Sequence, residues 1–170
     1  DAKRGDVGNT ARAYAKSIFE IFKADATTIN PYLGYDSVKP FTDYTDRGIF
    51  ILCLTSNPGY RNFQQTGDKN MPLYRHVAFY TKEWNVNGNC GLVVGATNPK
   101  ELKEIREIAG EMPILIPGIG VQGGDLESSV KFGITKNKNR AIINSSRGII
   151  YSDNPKQSAK KLRDEINKYR

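Results

Sequence analysis

Short apolar segments alternate with amphipathic segments along most of the chain. Residues 49–54 (IFILCL) form a continuous apolar run, which is typical of a strand buried on both faces of a parallel sheet. Residues 11–23 instead repeat large apolar side chains with helical spacing. This alternation indicates β/α units around a parallel sheet. The expected strands are 26–30, 49–54, 91–94, 114–116 and 141–144, and the expected helices are 11–23, 71–86, 98–110, 125–132 and a last helix from Pro155.

Composition and charge narrow the class of protein. The 170 residues are 38% hydrophobic and 25% charged, as expected if residues 1–170 form one domain with its own core. The net charge of +7 is spread over amphipathic helices, which favours a phosphorylated small molecule over nucleic acid as partner. Apolar runs are too short to cross a membrane, so no membrane partner is expected. Cys53 and Cys90 lie in apolar segments without metal-ligand spacing, which favours a cytoplasmic protein with reduced thiols and no metal site.

The first six residues carry charges rather than a packing pattern. Asp1, Lys3 and Asp6 form an Asp-x-Lys-x-x-Asp motif. On a strand, the two-residue period would point Asp1 and Lys3 to the same face, with Asp6 in the loop that follows. A lysine between two carboxylates stays protonated, which suits delivery of a proton to a carbon that has lost a leaving group. Taken alone, the motif is more typical of a solvated turn, so its interpretation depends on the rest of the chain.

Distinctive polar residues follow each of the predicted strands. In a (β/α)₈ barrel these positions share the rim that carries the active site. Ordinary turns explain the glycine, asparagine and proline residues there, but they do not require a lysine, a glutamine and an arginine. The residues are Asp1, Lys3, Asp6, Asn30, Asp36, Ser56, Asn57, Gln122 and Arg147.

Two loops near the C-terminus predict a phosphate site. Residues 117–125 (PGIGVQGGD) offer backbone N–H groups that side chains do not obstruct, directly before a predicted helix. Residues 145–148 (SSRG) add the guanidinium of Arg147. The last two loops of a β/α barrel frequently form such a site.

Four motifs in this order resemble the orotidine 5′-phosphate decarboxylase family, in particular its second sequence group. The resemblance extends from residue 1 to about residue 157 and implies an α/β fold, a (β/α)₈ TIM barrel of which this chain holds roughly the last six strands. It also implies a homodimer without metal or organic cofactor that converts orotidine 5′-monophosphate to uridine 5′-monophosphate in pyrimidine biosynthesis. The motifs are D-x-K-x-x-D from Asp1, T-S-N-P-G from Thr55, P-G-I-G-x-Q-G-G-D from Pro117 and S-R-G-I from Ser146.

The resemblance implies a role for each matching residue. Asp1 would lie beside the substrate carboxylate, and Lys3 would protonate the ring carbon. Asp6, Val7 and Thr10 would reach the active site of the neighbouring subunit. The other matches would contact the ligand: Ser56 the pyrimidine, Gln122 both base and phosphate, and Gly120, Gly123 and Arg147 the phosphate.

One part of the family pattern does not occur in this sequence. The family's charged tetrad begins with a lysine on a strand that precedes the position of Asp1, and a barrel needs eight strands to close. The sequence therefore predicts a fragment, or one piece of a longer polypeptide, without the first strands. Without the upstream lysine we expect little or no activity.

Two other functions fit the same residues. A Mg²⁺-dependent sugar-phosphate decarboxylase or aldolase of the same barrel superfamily resembles this chain in its first motif and its phosphate loops. Such an enzyme does not need a pyrimidine contact such as Ser56. A catalytically dead nucleotide-binding subunit would retain the phosphate loops, and it would bind uridine monophosphate without turnover.

Overall fold

A parallel sheet forms the centre of the computed structural model, which describes residues 1–120 and 124–170. The main sheet has five strands, all parallel to their neighbours, and the two shortest strands form a separate antiparallel pair. The strands are β1 (Ala26–Ile29), β2 (Gly48–Leu54), β3 (Gly67–Asp68), β4 (Met71–Pro72), β5 (Cys90–Val94), β6 (Ile114–Pro117) and β7 (Ala141–Asn144). Their order in the main sheet is β1-β2-β5-β6-β7.

Helices connect the strands of the main sheet, as the β/α pattern predicts. Among the described residues, no helix is long and apolar enough to cross a membrane. The helices are α1 (Gly8–Lys16), continued by a π-helical turn (Ser17–Ile21), α2 (Tyr35–Thr42), α3 (Leu73–Trp84), α4 (Pro99–Ala109), α5 (Leu126–Gly133), α6 (Arg147–Ile150) and α7 (Pro155–Lys168), with a 3-10 turn at Pro58–Asn62.

Strand β2 shows how the apolar sequence builds the core. Ile49 and Ile51 are fully buried on one face, whereas Phe50 and Leu52 are half-buried on the other. Burial of each large aliphatic side chain contributes about 1.5–3 kcal/mol. Phe50 packs over Gly91 of β5, where an added Cβ would lie 2.8 Å from its ring. The strand therefore buries apolar side chains on both faces, as its continuous apolar run predicts.

The strand expected at the start of the chain is reduced to a single bridge. Arg4 pairs in parallel with Ile29, and its carbonyl accepts a hydrogen bond from Asn30 N at 2.7 Å. Lys3 has a φ of +47°, a left-handed conformation that an extended strand does not contain. The described part of the main sheet thus has five strands and one bridge, where roughly six strands were expected.

Both cysteines are buried and carry free thiols. The Cys53 thiol donates a hydrogen bond to the carbonyl of Tyr74 at 3.2 Å. Burial raises the pKa of the Cys53 thiol well above its usual value, and it raises the pKa of Cys90 to about 11. Both residues are therefore packing residues of the core, as their apolar context predicts.

Arg106 on α4 forms hydrogen bonds to several chain segments at the amino ends of the strands. Its guanidinium donates hydrogen bonds to the carbonyls of Gly133 (2.5 and 2.9 Å), Met112 (2.7 Å), Gly110 (2.8 Å) and Arg140 (3.2 Å). Burial lowers the pKa of Arg106 to about 10. The side chain therefore satisfies carbonyls at the ends of α4 and α5 and in front of β6 and β7.

We expect Arg106→Ala to lower the free energy of unfolding by about 2 kcal/mol, because the carbonyls of Gly133 and Met112 lose a charged donor in part-buried hydrogen bonds. Urea unfolding followed by circular dichroism measures the change. Arg163→Ala is the control, since Arg163 is exposed and pairs with its neighbour Asp164, and it should change stability by less than about 0.5 kcal/mol. Equal losses in the two variants would contradict the role of Arg106.

Candidate active site

A cavity of about 650 Å³ lies at the C-terminal edge of the main sheet. This volume is in the range of small-molecule sites, and the C-terminal edge is where β/α barrels carry their active sites. The structure brings Asp1, Lys3, Ser56 and Arg147 together around this cavity. The complete lining is Asp1, Lys3, Leu52, Thr55, Ser56, Asn57, Val93, Leu115, residues 117–119 and residues 144–148.

Asp1 and Lys3 form an ion pair that a strand residue fixes in place. The Lys3 ammonium donates to Asp1 Oδ2. The hydroxyl of Thr28 donates to Asp1 Oδ1 at 2.7 Å and accepts from the backbone N–H of Lys3 at 3.1 Å. Thr28 lies on β1 and is only 4% exposed, so one buried hydroxyl anchors both ends of the pair. Thr28 was not among the predicted site residues, although a hydroxyl residue in the second half of β1 is a signal for such a contact.

The ion pair faces solvent in the cavity rather than the core. The side chains of Lys3 and Asp1 are 48% and 68% exposed. A cation held by a carboxylate can stabilise negative charge that develops on a bound molecule, and it can supply a proton to that charge. The arrangement therefore suits a reaction that passes through a carbanion.

The loop after β2 brings Thr55, Ser56 and Asn57 into the cavity. Its path depends on Gly95, whose backbone N–H donates to Leu54 O at 2.8 Å. A Cβ on Gly95 would lie 2.8 Å from both N and Cβ of Ser56. Any larger residue at position 95 would push Ser56 away, so this glycine permits the observed position of Ser56.

The glycine-rich loop after β6 contributes Gly118 and Ile119 to the cavity lining. The backbone N–H of Gly124 donates to Gly118 O at 3.2 Å, and Gly124 also forms a bridge with Ile119. Gly120 is exposed and has a φ of +85°, a conformation that favours glycine. The predicted ligand residues Gln122 and Gly123 lie outside the described residues.

A side chain of the protein caps the start of helix α5. The Asp125 carboxylate caps this helix by accepting a hydrogen bond from Ser128 N at 2.8 Å. Hydrogen bonds from Ser128 hold the pKa of Asp125 below its usual value. The Asp125 carboxylate thus occupies the N–H group of Ser128, which lies beyond the predicted phosphate loop of residues 117–125. Arg147, at the start of α6, supplies a cation to the cavity from the next loop.

Among residues 1–120 and 124–170, no group of three or more His, Cys, Asp or Glu side chains could hold a metal ion. The charged lining residues of the cavity are Asp1, Lys3 and Arg147. The described part of the cavity thus combines one ion pair with one guanidinium.

The sequence model of the orotidine 5′-phosphate decarboxylase / HUMPS family matches residues 1–162. This chain belongs to that family. The orotidine 5′-phosphate decarboxylase of Azoarcus sp. (strain BH72) is 50% identical over 178 residues, which cover all of this chain and 66% of the relative. The enzyme of Janthinobacterium sp. (strain Marseille) is 49% identical over 99% of this chain and 65% of its own length. The chain thus spans about two thirds of the length of these curated relatives.

Solved structures of the family confirm the predicted fold class. The structure of Leishmania donovani OMP decarboxylase matches with a TM-score of 0.94 at 43% identity, over 99% of this chain and 66% of that chain. The structure of Leishmania donovani UMP synthase matches with a TM-score of 0.97 at 45% identity, over 99% of this chain and 38% of that chain. The five parallel strands and their helices therefore form part of the family's (β/α) TIM barrel.

Asp6, the last residue of the first motif, and the following residues Val7 and Thr10 do not line the described cavity of their own chain. Asp6 Oδ1 accepts a hydrogen bond from Val7 N at 2.8 Å, and Val7 is 50% exposed. Thr10 is exposed on the first turn of α1.

Proposed function

We propose that this protein decarboxylates orotidine 5′-monophosphate to uridine 5′-monophosphate, a step of pyrimidine biosynthesis. The observation that carries the proposal is the meeting of Asp1, Lys3, Ser56 and Arg147 around one cavity at the C-terminal edge of the sheet. The full-chain similarity to relatives named orotidine 5′-phosphate decarboxylase supports the same reaction.

In the proposed reaction, Lys3 acts on the charge that decarboxylation creates. When the bond to the carboxylate carbon breaks, CO₂ leaves and the electron pair stays on the ring carbon. The Lys3 ammonium stabilises this pair and transfers its proton to the carbon, which completes uridine 5′-monophosphate. Asp1 holds Lys3 in place and lies beside the departing carboxylate. The step uses no metal or organic cofactor, since Lys3 supplies both the charge and the proton.

The other site residues are proposed to bind the ends of the nucleotide. Ser56 contacts the pyrimidine, and Arg147 contacts the phosphate together with Gly120 and Gly123. Gln122 contacts both base and phosphate, as the family resemblance implies. Binding energy from the phosphate, which does not react, can position the base against Lys3 and exclude water.

An activity assay tests the proposed function directly. The purified full-length protein is incubated with orotidine 5′-monophosphate in the presence of EDTA, and CO₂ and uridine 5′-monophosphate are measured. We expect equal amounts of both products. Turnover of a sugar phosphate that requires Mg²⁺ would favour the sugar-phosphate decarboxylase or aldolase instead. Binding of uridine 5′-monophosphate without turnover would favour a nucleotide-binding subunit.

We further propose a homodimer in which Asp6, Val7 and Thr10 complete the partner's active site. The surface around these residues supports the proposal. Gly5 packs against Asn30, and an added Cβ on Gly5 would lie 3.3 Å from Asn30 Cβ. Val7 follows Gly5 by two positions and Tyr32 follows Asn30 by two positions. Their side chains are 50% and 77% exposed. Exposed apolar side chains beside a site are typical of a surface that another subunit covers.

We also propose that residues 1–170 belong to one β/α-barrel domain of a cytoplasmic protein. The continuous parallel sheet supports the single domain. The free thiols of Cys53 and Cys90 support a reducing compartment.

Mixing two inactive variants tests the shared site. Asp6→Ala and Lys3→Ala, both in the full-length protein, are each expected to be nearly inactive. If Asp6 acts across the interface, a mixed dimer contains one site with both residues intact and one with both replaced. Random exchange makes about half of the dimers mixed, so up to about a quarter of wild-type activity should return.

The control mixture combines Lys3→Ala with a double variant that carries both Asp6→Ala and Lys3→Ala. It should remain inactive, because no dimer in it has an intact Lys3. If subunit exchange is demonstrated and the first mixture also stays inactive, Asp6 acts within its own chain and the shared-site proposal is wrong.

A further inference from the structure

The amide side chains of Gln64 and Asn98 hold Thr55, the residue before Ser56. Gln64 Oε1 accepts from Thr55 N at 2.8 Å, and Gln64 Nε2 donates to Thr55 Oγ1 at 2.9 Å. Asn98 Nδ2 donates to the Thr55 carbonyl at 3.2 Å. The backbone N–H, the hydroxyl and the carbonyl of one loop residue are thus all bound by side chains. We refer to Gln64 and Asn98 as the amide clamp.

The amide clamp also determines the direction of the Thr55 hydroxyl. This hydroxyl accepts from Gln64 Nε2 and donates to Asn57 Oδ1 at 2.6 Å. A second acceptor, Gln64 Oε1, lies farther from the hydroxyl oxygen, at 3.3 Å. The shortest hydrogen bonds therefore run in one direction, from Gln64 through Thr55 to Asn57. A directed chain of this kind fixes the side-chain amide of Asn57 as well as the backbone before Ser56.

Ser56 lies between two residues that the clamp fixes, and its backbone also rests against Gly95. All three residues of this loop, Thr55, Ser56 and Asn57, line the cavity. Asn98 is only 5% exposed, and burying an amide is unfavourable unless hydrogen bonds compensate for the lost water. A loop held in this way loses little further freedom when a ligand binds.

We propose that Gln64 and Asn98 are positioning residues that hold Ser56 and Asn57 for contact with the base of a nucleotide. This inference rests on the proposed function for the identity of the ligand. The phosphate contacts come from other loops, after β6 and β7. The amide clamp therefore acts on recognition of the base and leaves recognition of the phosphate unchanged.

The test compares a ligand with a base and a ligand without one. Calorimetry on the full-length protein measures binding of uridine 5′-monophosphate and of ribose 5-phosphate. Gln64→Ala and Asn98→Ala are each expected to weaken binding of uridine 5′-monophosphate about tenfold, because each removes a part-buried hydrogen bond from the loop. Binding of ribose 5-phosphate should change less than about twofold.

Gln65→Ala is the matched control. Gln65 is the next residue in the chain and is exposed, and its amide donates to the hydroxyl of Tyr60 at 3.4 Å rather than to Thr55. This variant should bind both ligands like the wild type. Equal weakening in Gln65→Ala and Gln64→Ala would mean that the whole segment matters and would overturn the amide clamp.

A double-mutant cycle separates positioning from general structural damage. In a variant that already carries Ser56→Ala and Asn57→Ala, Gln64→Ala should weaken binding of uridine 5′-monophosphate by less than about twofold. The reason is that the two polar side chains that the amide clamp is proposed to position are no longer present. A full tenfold loss in this background would overturn the proposal.

Gln64→Glu keeps the test decisive if Gln64→Ala does not fold. A carboxylate at this position still accepts from Thr55 N, but it also takes the hydroxyl hydrogen and leaves Asn57 without its donor. We expect Gln64→Glu to bind uridine 5′-monophosphate more weakly than the wild type does. If Gln64→Ala also folds, Gln64→Glu should bind more tightly than Gln64→Ala. Wild-type affinity in Gln64→Glu would contradict the directed chain.

The outcome for the wild type separates failure of this inference from failure of the proposed function. A wild-type protein that binds uridine 5′-monophosphate no more tightly than ribose 5-phosphate would overturn the proposed function. We expect the wild type instead to bind uridine 5′-monophosphate more tightly than ribose 5-phosphate. If Gln64→Ala and Asn98→Ala then show the same preference as the wild type, the amide clamp alone is overturned.

Discussion

Replacement of Lys3 by alanine in the full-length protein is expected to slow decarboxylation of orotidine 5′-monophosphate by about 10³-fold or more. The affinity for uridine 5′-monophosphate should remain within about threefold of the wild-type value. The two quantities separate because the ammonium acts on charge that exists only in the transition state. Turnover and product binding, measured on the same folded variant, check the prediction.

Lys16→Ala is the matched control for this experiment. Lys16 is a lysine in the last turn of α1, 66% exposed and 4.0 Å from Glu20, and it does not line the described cavity. Its replacement should leave both quantities unchanged. If Lys3→Ala lowers turnover and product affinity in parallel, Lys3 positions the nucleotide and does not donate the proton.

Replacement of Arg147 by alanine is expected to weaken binding of uridine 5′-monophosphate by about 100-fold. Binding of the nucleoside uridine should change less than about twofold, because uridine has no phosphate for the guanidinium to bind. Calorimetry with both ligands on the same variant measures the difference.

Arg163→Ala on α7 removes a cation of the same type away from the described cavity, so it shows the effect of net charge alone. It should bind both ligands as the wild type does. Equal weakening of uridine and uridine 5′-monophosphate by Arg147→Ala would refute the assignment of Arg147 to the phosphate.

The strands were the most predictable part of the fold. The run at 49–54 became β2, Gly48–Leu54, and the run at 141–144 became β7 with the predicted bounds. The prediction of β2 succeeded because a strand buried between helices and neighbouring strands needs continuous apolar sequence. Strand β7 is less buried, with Ile142 45% exposed, but it also carries a short apolar run. The signal is therefore contained within each segment and does not depend on distant residues.

Helix α2 was not among the helices expected from the sequence. Pro40 lies inside this helix, where it lacks an N–H donor and crowds the preceding turn, so the sequence indicates a break. Val38 and Phe41 are nevertheless fully buried on the same helix. Their packing against the rest of the core offsets the local cost of the proline, and only the folded structure reveals that packing.

The candidate site was predictable in its charged residues and not in their supports. Lys3 and Arg147 belong to motifs with recognisable spacing, whereas Thr28, Gln64 and Asn98 lie outside any motif of their own and act through hydrogen bonds to other residues. Thr28 is 27 positions from Asp1, and Asn98 is 43 positions from Thr55. No periodic pattern links such pairs, so the sequence does not indicate which residues meet.

The buried thiols make this chain a convenient background for site-specific labelling. Maleimides and similar reagents attack thiolates, and burial raises the pKa of both native thiols while also blocking access to them. A cysteine introduced at an exposed position such as Tyr151, which is 79% exposed, would therefore react far faster than Cys53 or Cys90. A fluorophore placed there would report on the loop that carries Arg147 without removal of either native cysteine.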